Sequence, residues 1–170
     1  QICQWLGYLP LGLELVGRYL VWDEDITLSV LWQRLQEKRT DAIALQQTYP
    51  GMTAELGVAA AFELSWEVLN ESARQLAALL SLFALAEIPW KLVEACLPEV
   101  DAEELQRLRN NELVGLHLLE RTGQGMYQLH QLLREFFAAK REQRADVDGI
   151  KQTLCRVMVA VGQQIPQTPT

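Results

Sequence analysis

Apolar residues recur at helical spacing along most of the chain. In the first fifty residues they predict helices that begin at Pro10 and after Thr27, residue types that are common at helix starts. Further helices are predicted after Asn70, from Trp90 to Leu97, and after Asp101. The pattern after Asn70 is the strongest, because its apolar residues step by four, three, four and three. These residues are Leu69, Ala73, Leu76, Leu80 and Phe83.

A different pattern follows these helices. The leucine-rich run Leu113–Leu119 and the short run Met126–Leu129 flank the turn sequence Thr122-Gly123-Gln124-Gly125, an arrangement that predicts a β-hairpin. Apolar residues at helical spacing then predict one helix over 129–137 and a last helix over 150–161. Three helices followed by a hairpin is the order of elements in a winged-helix domain.

The polar, glycine- and proline-bearing stretch 46–58 is typical of a linker and suggests a domain boundary. We therefore predict a mainly α fold, with a small helical bundle over 1–50 and a winged-helix domain with one short β-hairpin over 51–145. Residues 146–170 are predicted to form a C-terminal helix and a polar tail. Because the first residues have no Met and read as part of a helix, we expect a piece of a larger protein.

Composition and charge narrow the function classes. The chain has 170 residues, 49% of them hydrophobic, and a net charge of −7, as expected for an acidic folded protein. Residues 51–145 contain 9 basic and 14 acidic side chains, which disfavours a winged-helix regulator that binds DNA. No apolar run is long enough to span a membrane, so neither nucleic acid nor membrane is an expected partner.

Three widely spaced cysteines form no CxxC pair, so we expect a reduced, cytoplasmic setting. Cys96 and Cys155 occupy apolar helical positions and are predicted to be small buried side chains. The sequence has no GxxxxGK[ST], HExxH or GxSxG motif and no metal-spaced cysteine–histidine set. We therefore expect no catalytic residue and no metal site, and the chain is not predicted to be an enzyme by itself.

Two short segments carry most of the functional information. Gly7-Tyr8-Leu9-Pro10-Leu11 and, about 120 residues later, Leu129-His130-Gln131 resemble the GLPL and MHD motifs of the NB-ARC module in STAND-class signalling NTPases. In that family GLPL opens a helix of a small helical domain, and MHD ends the winged-helix domain. The sequence departs from the pattern at Leu129, where Met is usual, and at Gln131, where Asp is usual, so a switch role of that carboxylate is not carried over.

The resemblance implies a nucleotide site shared with an upstream domain that would hold the P-loop and the Mg²⁺ ligands. Pro10, flanked by Gly7, Leu9 and Leu11, would pack on the adenine of ADP or ATP, and His130 would bond the β-phosphate. The chain would then be a regulatory segment between an upstream nucleotide-binding domain and a downstream sensor, with protein partners or an oligomer after activation.

Two plainer interpretations stay open. Gly7 and Pro10 fit the end of one helix and the start of the next, and His130 fits a cap at a strand–helix junction. The whole chain also fits a helical protein-interaction module that binds no ligand.

Overall fold

The computed structural model describes residues 1–164, which are mainly helical with a small antiparallel sheet, as the sequence predicts. The α-helices are α1 (Ile2–Trp5), α2 (Pro10–Trp22), α3 (Leu28–Thr48), α4 (Leu56–Val68), α5 (Glu71–Leu80), α6 (Trp90–Cys96), α7 (Ala102–Arg107), α8 (Gln131–Glu142) and α9 (Val147–Gln164). A π-helical segment, Leu108–Val114, continues α7. The strands are β1 (Ile88–Pro89), β2 (Glu120–Gly123) and β3 (Met126–Gln128).

The predicted helix caps are confirmed by their hydrogen bonds. The Thr27 hydroxyl accepts from the Val30 amide at 3.3 Å, and the Asn70 side chain accepts from the Ala73 amide at 2.8 Å. The Asp101 carboxylate accepts from the first-turn amides of α7. Each side chain satisfies a backbone donor that has no partner within its helix, which fixes where α3, α5 and α7 begin.

Helix α3 is longer than its sequence suggests. A basic pair such as Lys38-Arg39 suits the C-terminus of a helix and predicts an end there, but the helix continues to Thr48 because Ala42 and Leu45 still face the core. The chain meets no helix-breaking residue before Pro50. The predicted linker over 46–58 is therefore shorter in the structure, which leaves only 49–55 outside helices α3 and α4.

The prediction of a strand over Leu113–Leu119 is wrong. The π-helical segment includes Leu113 and Val114, a turn follows, and the first hairpin strand begins only at Glu120. Leucine favours helix over strand, and Leu113, Leu116, Leu118 and Leu119 are all buried. The second predicted strand is present as β3.

The sheet contains a strand that the sequence analysis missed. β3 lies in the middle, with β1 on one side and β2 on the other, both antiparallel to it. Ile88 pairs with Tyr127 and Pro89 with Met126. A two-residue strand immediately before a helix has too few residues to show a period-two pattern.

One hydrophobic core runs across the predicted domain boundary. Helix α4 is its centre, since every residue from Gly57 to Ser65 is buried, and α4 packs against α2, α3 and α8. Gly57 lies where α4 passes α1. A Cβ atom there would collide with the Trp5 carbonyl oxygen, so only glycine permits this approach.

Helix α9 is less enclosed than its apolar pattern predicts. Cys96 is buried as expected, but the prediction for Cys155 is wrong, because its side chain is exposed on α9. Within residues 147–164 only Ile150 is fully buried, since α9 packs through one edge on α5 and α6. No helix in the described part of the chain is long and apolar enough to cross a bilayer. The predicted tail from Gln163 lies largely outside the described residues.

Candidate functional site

The entry to α2 is set by a tight turn with two left-handed residues. Gly7 and Tyr8 have φ of +65° and +56°, and the Gly7 and Tyr8 amides donate to carbonyls of α1. Glycine accepts such a φ freely, whereas a tyrosine pays a steric cost of about 1 kcal/mol. Leu9 is then extended and Pro10 occupies the first helical position, where its missing N–H removes no hydrogen bond.

Gly7 does not lie with the other predicted ligand-binding residues. It ends α1 and faces the Glu55 carboxylate, which a Cβ atom at position 7 would strike. Its position and its positive φ fit the predicted role at the end of a helix. The structure therefore gives Gly7 a place in the turn that orients Pro10, and not in the cavity described below.

The entry to α8 is made by His130. The imidazole Nδ1 accepts a hydrogen bond from the Leu132 amide at 3.2 Å, so His130 caps the helix. A neutral imidazole that accepts at Nδ1 carries its proton on Nε2, which remains able to donate to a ligand. His130 is exposed, between the end of β3 and the first turn of α8.

The N-terminal ends of α2 and α8 line one cavity of about 260 Å³. The start of α2 contributes Leu9, Pro10 and Leu11, and the start of α8 contributes His130. The remaining wall comes from α2, from α8, from the segment before the hairpin and from the first residue of β2. It is formed by Glu14, His117, Leu118, Leu119, Glu120, Leu132 and Leu133. Four of the five predicted site residues thus share one cavity, although Pro10 and His130 are far apart in the sequence.

The cavity can receive an anion with an apolar part. Helices α2 and α8 both present first-turn residues to it, and the N-terminus of a helix carries a positive dipole end and free amides. Leucines and Pro10 supply a wall against which a flat apolar group can pack. Two acidic side chains in the same wall, Glu14 and Glu120, oppose the binding of an anion.

Sequence reasoning missed His117 and Glu14. The His117 Nε2 lies 2.6 Å from the Glu14 Oε2, which joins α2 to the turn before β2. The predicted strand over Leu113–Leu119 would place His117 in the hairpin, which is wrong, because the residue lies in that turn with a left-handed φ of +60°. Glu14 could have been found, since it follows Pro10 by one helical turn and shares its face. Nothing in the sequence marks His117.

Residues beside the cavity tie α8 to the 49–55 connection. The Glu135 Oε2 accepts from the Thr53 amide and hydroxyl, each at 2.8 Å, and the Gln131 side chain donates to Oε1 at 3.1 Å. Partial burial would raise the pKa of Glu135, but these hydrogen bonds outweigh it and hold the pKa below its ordinary value. Gln131 thus orients the carboxylate that anchors α8.

A second tie joins α8 to α4. The Lys140 Nζ lies 2.7 Å from the Glu63 Oε2, beside the rings of Trp66 and Phe136. Within the described residues, the other carboxylate oxygen, Glu63 Oε1, is buried without a hydrogen-bond partner. Burial raises the pKa of Glu63, and the Lys140 contact only partly offsets it. The position of His130 therefore depends on two polar contacts farther along α8.

Residues 1–164 contain no group of three or more histidine, cysteine, aspartate or glutamate side chains arranged to hold a metal ion. No protein-family model, curated protein or solved structure matches the chain. The functional interpretation therefore depends on the cavity and on the two motifs that meet there.

Proposed function

We propose that the chain is the regulatory part of an ADP/ATP-dependent signalling switch and that its cavity binds the nucleotide. In this proposal the adenine packs on Pro10 between Leu9 and Leu11, and His130 donates to the β-phosphate. The P-loop and Mg²⁺ ligands would come from an upstream domain of an NB-ARC-type module. The chain itself would supply binding and movement, without catalysis.

The observation that supports this most is the common cavity of Pro10 and His130. Two motifs read separately from the sequence would have no reason to face one cavity if each merely began a helix. Their helices offer dipole ends and amides to phosphates, while the leucines offer an apolar surface to a base. One site with both properties fits a nucleoside diphosphate better than it fits either an inorganic anion or a purely apolar ligand.

The winged-helix prediction belongs to the same proposal. The order α5, β1, α6, α7, β2, β3 and the sheet order β1-β3-β2 are both compatible with that domain. Phosphate contacts dominate DNA binding, and the acidic charge of residues 51–145 opposes them. We therefore assign the domain to movement within the switch, with the Thr122–Gly125 turn as its wing.

The switch would work because ADP touches two parts of the chain at once. ADP held between α2 and α8 stabilises the closed arrangement, and exchange for ATP changes the His130 contact and favours an open one. A hydrogen bond to a charged group contributes about 1.5–3 kcal/mol, which shifts such an equilibrium roughly ten- to a hundredfold. In the open state a sensor and protein partners, including further copies, would gain access. The free thiols at Cys3, Cys96 and Cys155 suit the cytoplasmic setting proposed for such a switch.

The test is an ADP titration of the 170-residue chain followed by NMR. The chain has only two histidines, so the imidazole C–H signals of His117 and His130 are separate probes of the cavity. We expect both signals to shift with saturation, and His130→Ala to weaken ADP binding about tenfold by loss of one charge-assisted hydrogen bond. Gln143→Ala, an exposed change at the other end of α8, is the control. Histidine signals that do not move at millimolar ADP would contradict the proposal.

A ligand-free interaction module is the second candidate, and exposed apolar side chains favour it. Val21 and Trp22 at the end of α2 and Leu28 at the start of α3 are 68%, 54% and 63% exposed. Exposed apolar side chains that lie together are typical of a surface that contacts protein. The ADP titration separates the two candidates, because this one predicts no saturable shift at either histidine.

A further inference from the structure

The contact between His117 and Glu14 is not explained by the motifs. It joins α2 to the turn before β2 at 2.6 Å, and both residues line the cavity that contains Pro10 and His130. His117 reaches Glu14 from a backbone with φ of +60°, which is uncommon for a residue other than glycine and costs about 1 kcal/mol.

The turn that holds His117 is firmly built. The His117 amide donates to the Val114 carbonyl at 3.0 Å, and the next two amides donate to the Leu113 carbonyl. Leu116 and Leu118 on either side of His117 are buried. The left-handed conformation is thus fixed by its neighbours, and its result is an imidazole that faces a carboxylate across the cavity wall.

The contact between His117 and Glu14 changes the charge that a ligand meets in the cavity. Glu14 and Glu120 both line it, so two carboxylates would lie close to the phosphates of a bound nucleotide. A protonated imidazole at 2.6 Å cancels the charge of Glu14, and a neutral one that donates to the carboxylate still reduces its exposed charge. Without His117 the wall would repel the anion that the two helix N-termini attract.

We propose that His117 is a positioning residue that masks the Glu14 carboxylate and so allows the cavity to take a negatively charged nucleotide. This inference rests on the proposed nucleotide site and adds its selectivity for charge. Pro10 and the leucines would contact the base whether or not Glu14 is masked, so masking Glu14 should not change the affinity for a neutral nucleoside. The ligand class is therefore a nucleoside di- or triphosphate. The His117–Glu14 pair should affect the affinity for this charged ligand and not the affinity for the free nucleoside.

The experiment compares ADP with adenosine in three variants of the 170-residue chain at low salt. His117→Ala removes both the hydrogen bond to Glu14 and any positive charge beside it, and we expect it to weaken ADP binding about threefold, since Glu14 is partly screened by solvent. Glu14→Gln removes the carboxylate and should leave ADP binding equal or tighter. The double variant should regain the wild-type affinity, and adenosine affinity should not differ among the variants.

The outcomes separate the inference from the proposed function. Wild-type protein that binds neither ligand would overturn the nucleotide site itself. If the wild type binds ADP but His117→Ala loses ADP and adenosine affinity equally, the role of His117 is structural and the proposal is overturned. A double variant that still binds ADP weakly would overturn it as well. Glu14→Gln alters an exposed side chain and keeps the test valid if His117→Ala folds poorly. The ADP effect should shrink in 300 mM salt, because added ions screen exposed charges.

Discussion

Gly57 shows how a single missing side chain sets the position of a helix. A Cβ atom there would strike the Trp5 carbonyl oxygen, and the Leu6 Cα lies only 3.2 Å from the same point. Backbone atoms cannot rotate away as a flexible side chain can. We therefore predict that Gly57→Ala lowers the free energy of unfolding by about 2 kcal/mol, as expected for overpacking in a core. Urea denaturation measures the change.

The matched control is Gly17→Ala on α2. Gly17 is also inside a helix, but a Cβ atom there meets nothing within 4 Å. Alanine should therefore raise the free energy of unfolding by about 0.5–1 kcal/mol through helix propensity alone. Two variants that shift stability in the same direction would contradict the packing explanation.

Residues with local roles could be predicted from the sequence, and those with distant partners could not. Thr27, Asn70 and Asp101 act on amides within the next three residues, so short windows reveal them. His130 was located at the junction of a strand and a helix, where it caps α8. His117 contacts Glu14 from a turn with a left-handed backbone, and no pattern in the sequence predicts that turn.

At the scale of elements, α8 is held by two carboxylates whose pKa values move in opposite directions. Hydrogen bonds from Thr53 lower the pKa of Glu135 below its ordinary 4.5 despite partial burial. A lowered pKa stabilises the folded protein above pH 4.5, and this stabilisation is lost as the pH falls through the folded-state value. We predict that Glu135→Gln destabilises the protein at pH 6 but not at the lowest pH where it stays folded. Urea midpoints measured at several pH values provide the test.

Glu63→Gln is the same substitution on the facing helix and should behave oppositely. Burial raises the pKa of Glu63 above 4.5, so the folded state loses stability as the pH rises from 4.5 through the folded-state value. The free energy of unfolding of Glu63→Gln, relative to that of the wild type, should therefore be higher at pH 6 than at pH 4. Parallel pH profiles for the two variants would refute the assignment of these carboxylates.

The type of an element could be predicted where the length and the period of its apolar pattern agreed. Where they did not agree, the prediction failed. Helix α5 has a long, regular apolar stripe and a capping Asn70, and it forms as predicted. All four leucines of the Leu113–Leu119 run are buried, so apolar content alone could not distinguish a strand from the π-helical segment and turn that it forms. Strand β1 exists only because β3 lies beside it, which is a tertiary fact.

At the scale of the whole molecule, the candidate site lies between distant parts of the chain. Its two anchor residues, Pro10 and His130, were found by their resemblance to two motifs, because periodicity has no information about which helix ends meet. The cavity that joins them follows from the packing of α4 against α2, α3 and α8. That packing depends on the contacts of side chains from all four helices, and it was not predictable from their separate patterns.

The continuous core also determines how the protein unfolds. Helix α4 contacts elements on both sides of the 49–55 connection, and its buried residues belong to one cluster with Leu31 and Phe136. Separate unfolding of either part would expose the α4 face that the other part covers. We therefore predict one cooperative thermal transition, with coincident curves from tryptophan fluorescence and circular dichroism and equal calorimetric and van't Hoff enthalpies.

Leu64→Ala extends this prediction, because Leu64 is 1% exposed at the centre of the core. Loss of its side chain should cost about 3 kcal/mol and lower the single transition by roughly 8 °C. The transition should remain single, since both parts lose the same contact surface on α4. Two transitions, of which the substitution moves only one, would instead mean that residues 1–50 and 51–145 are independent folding units.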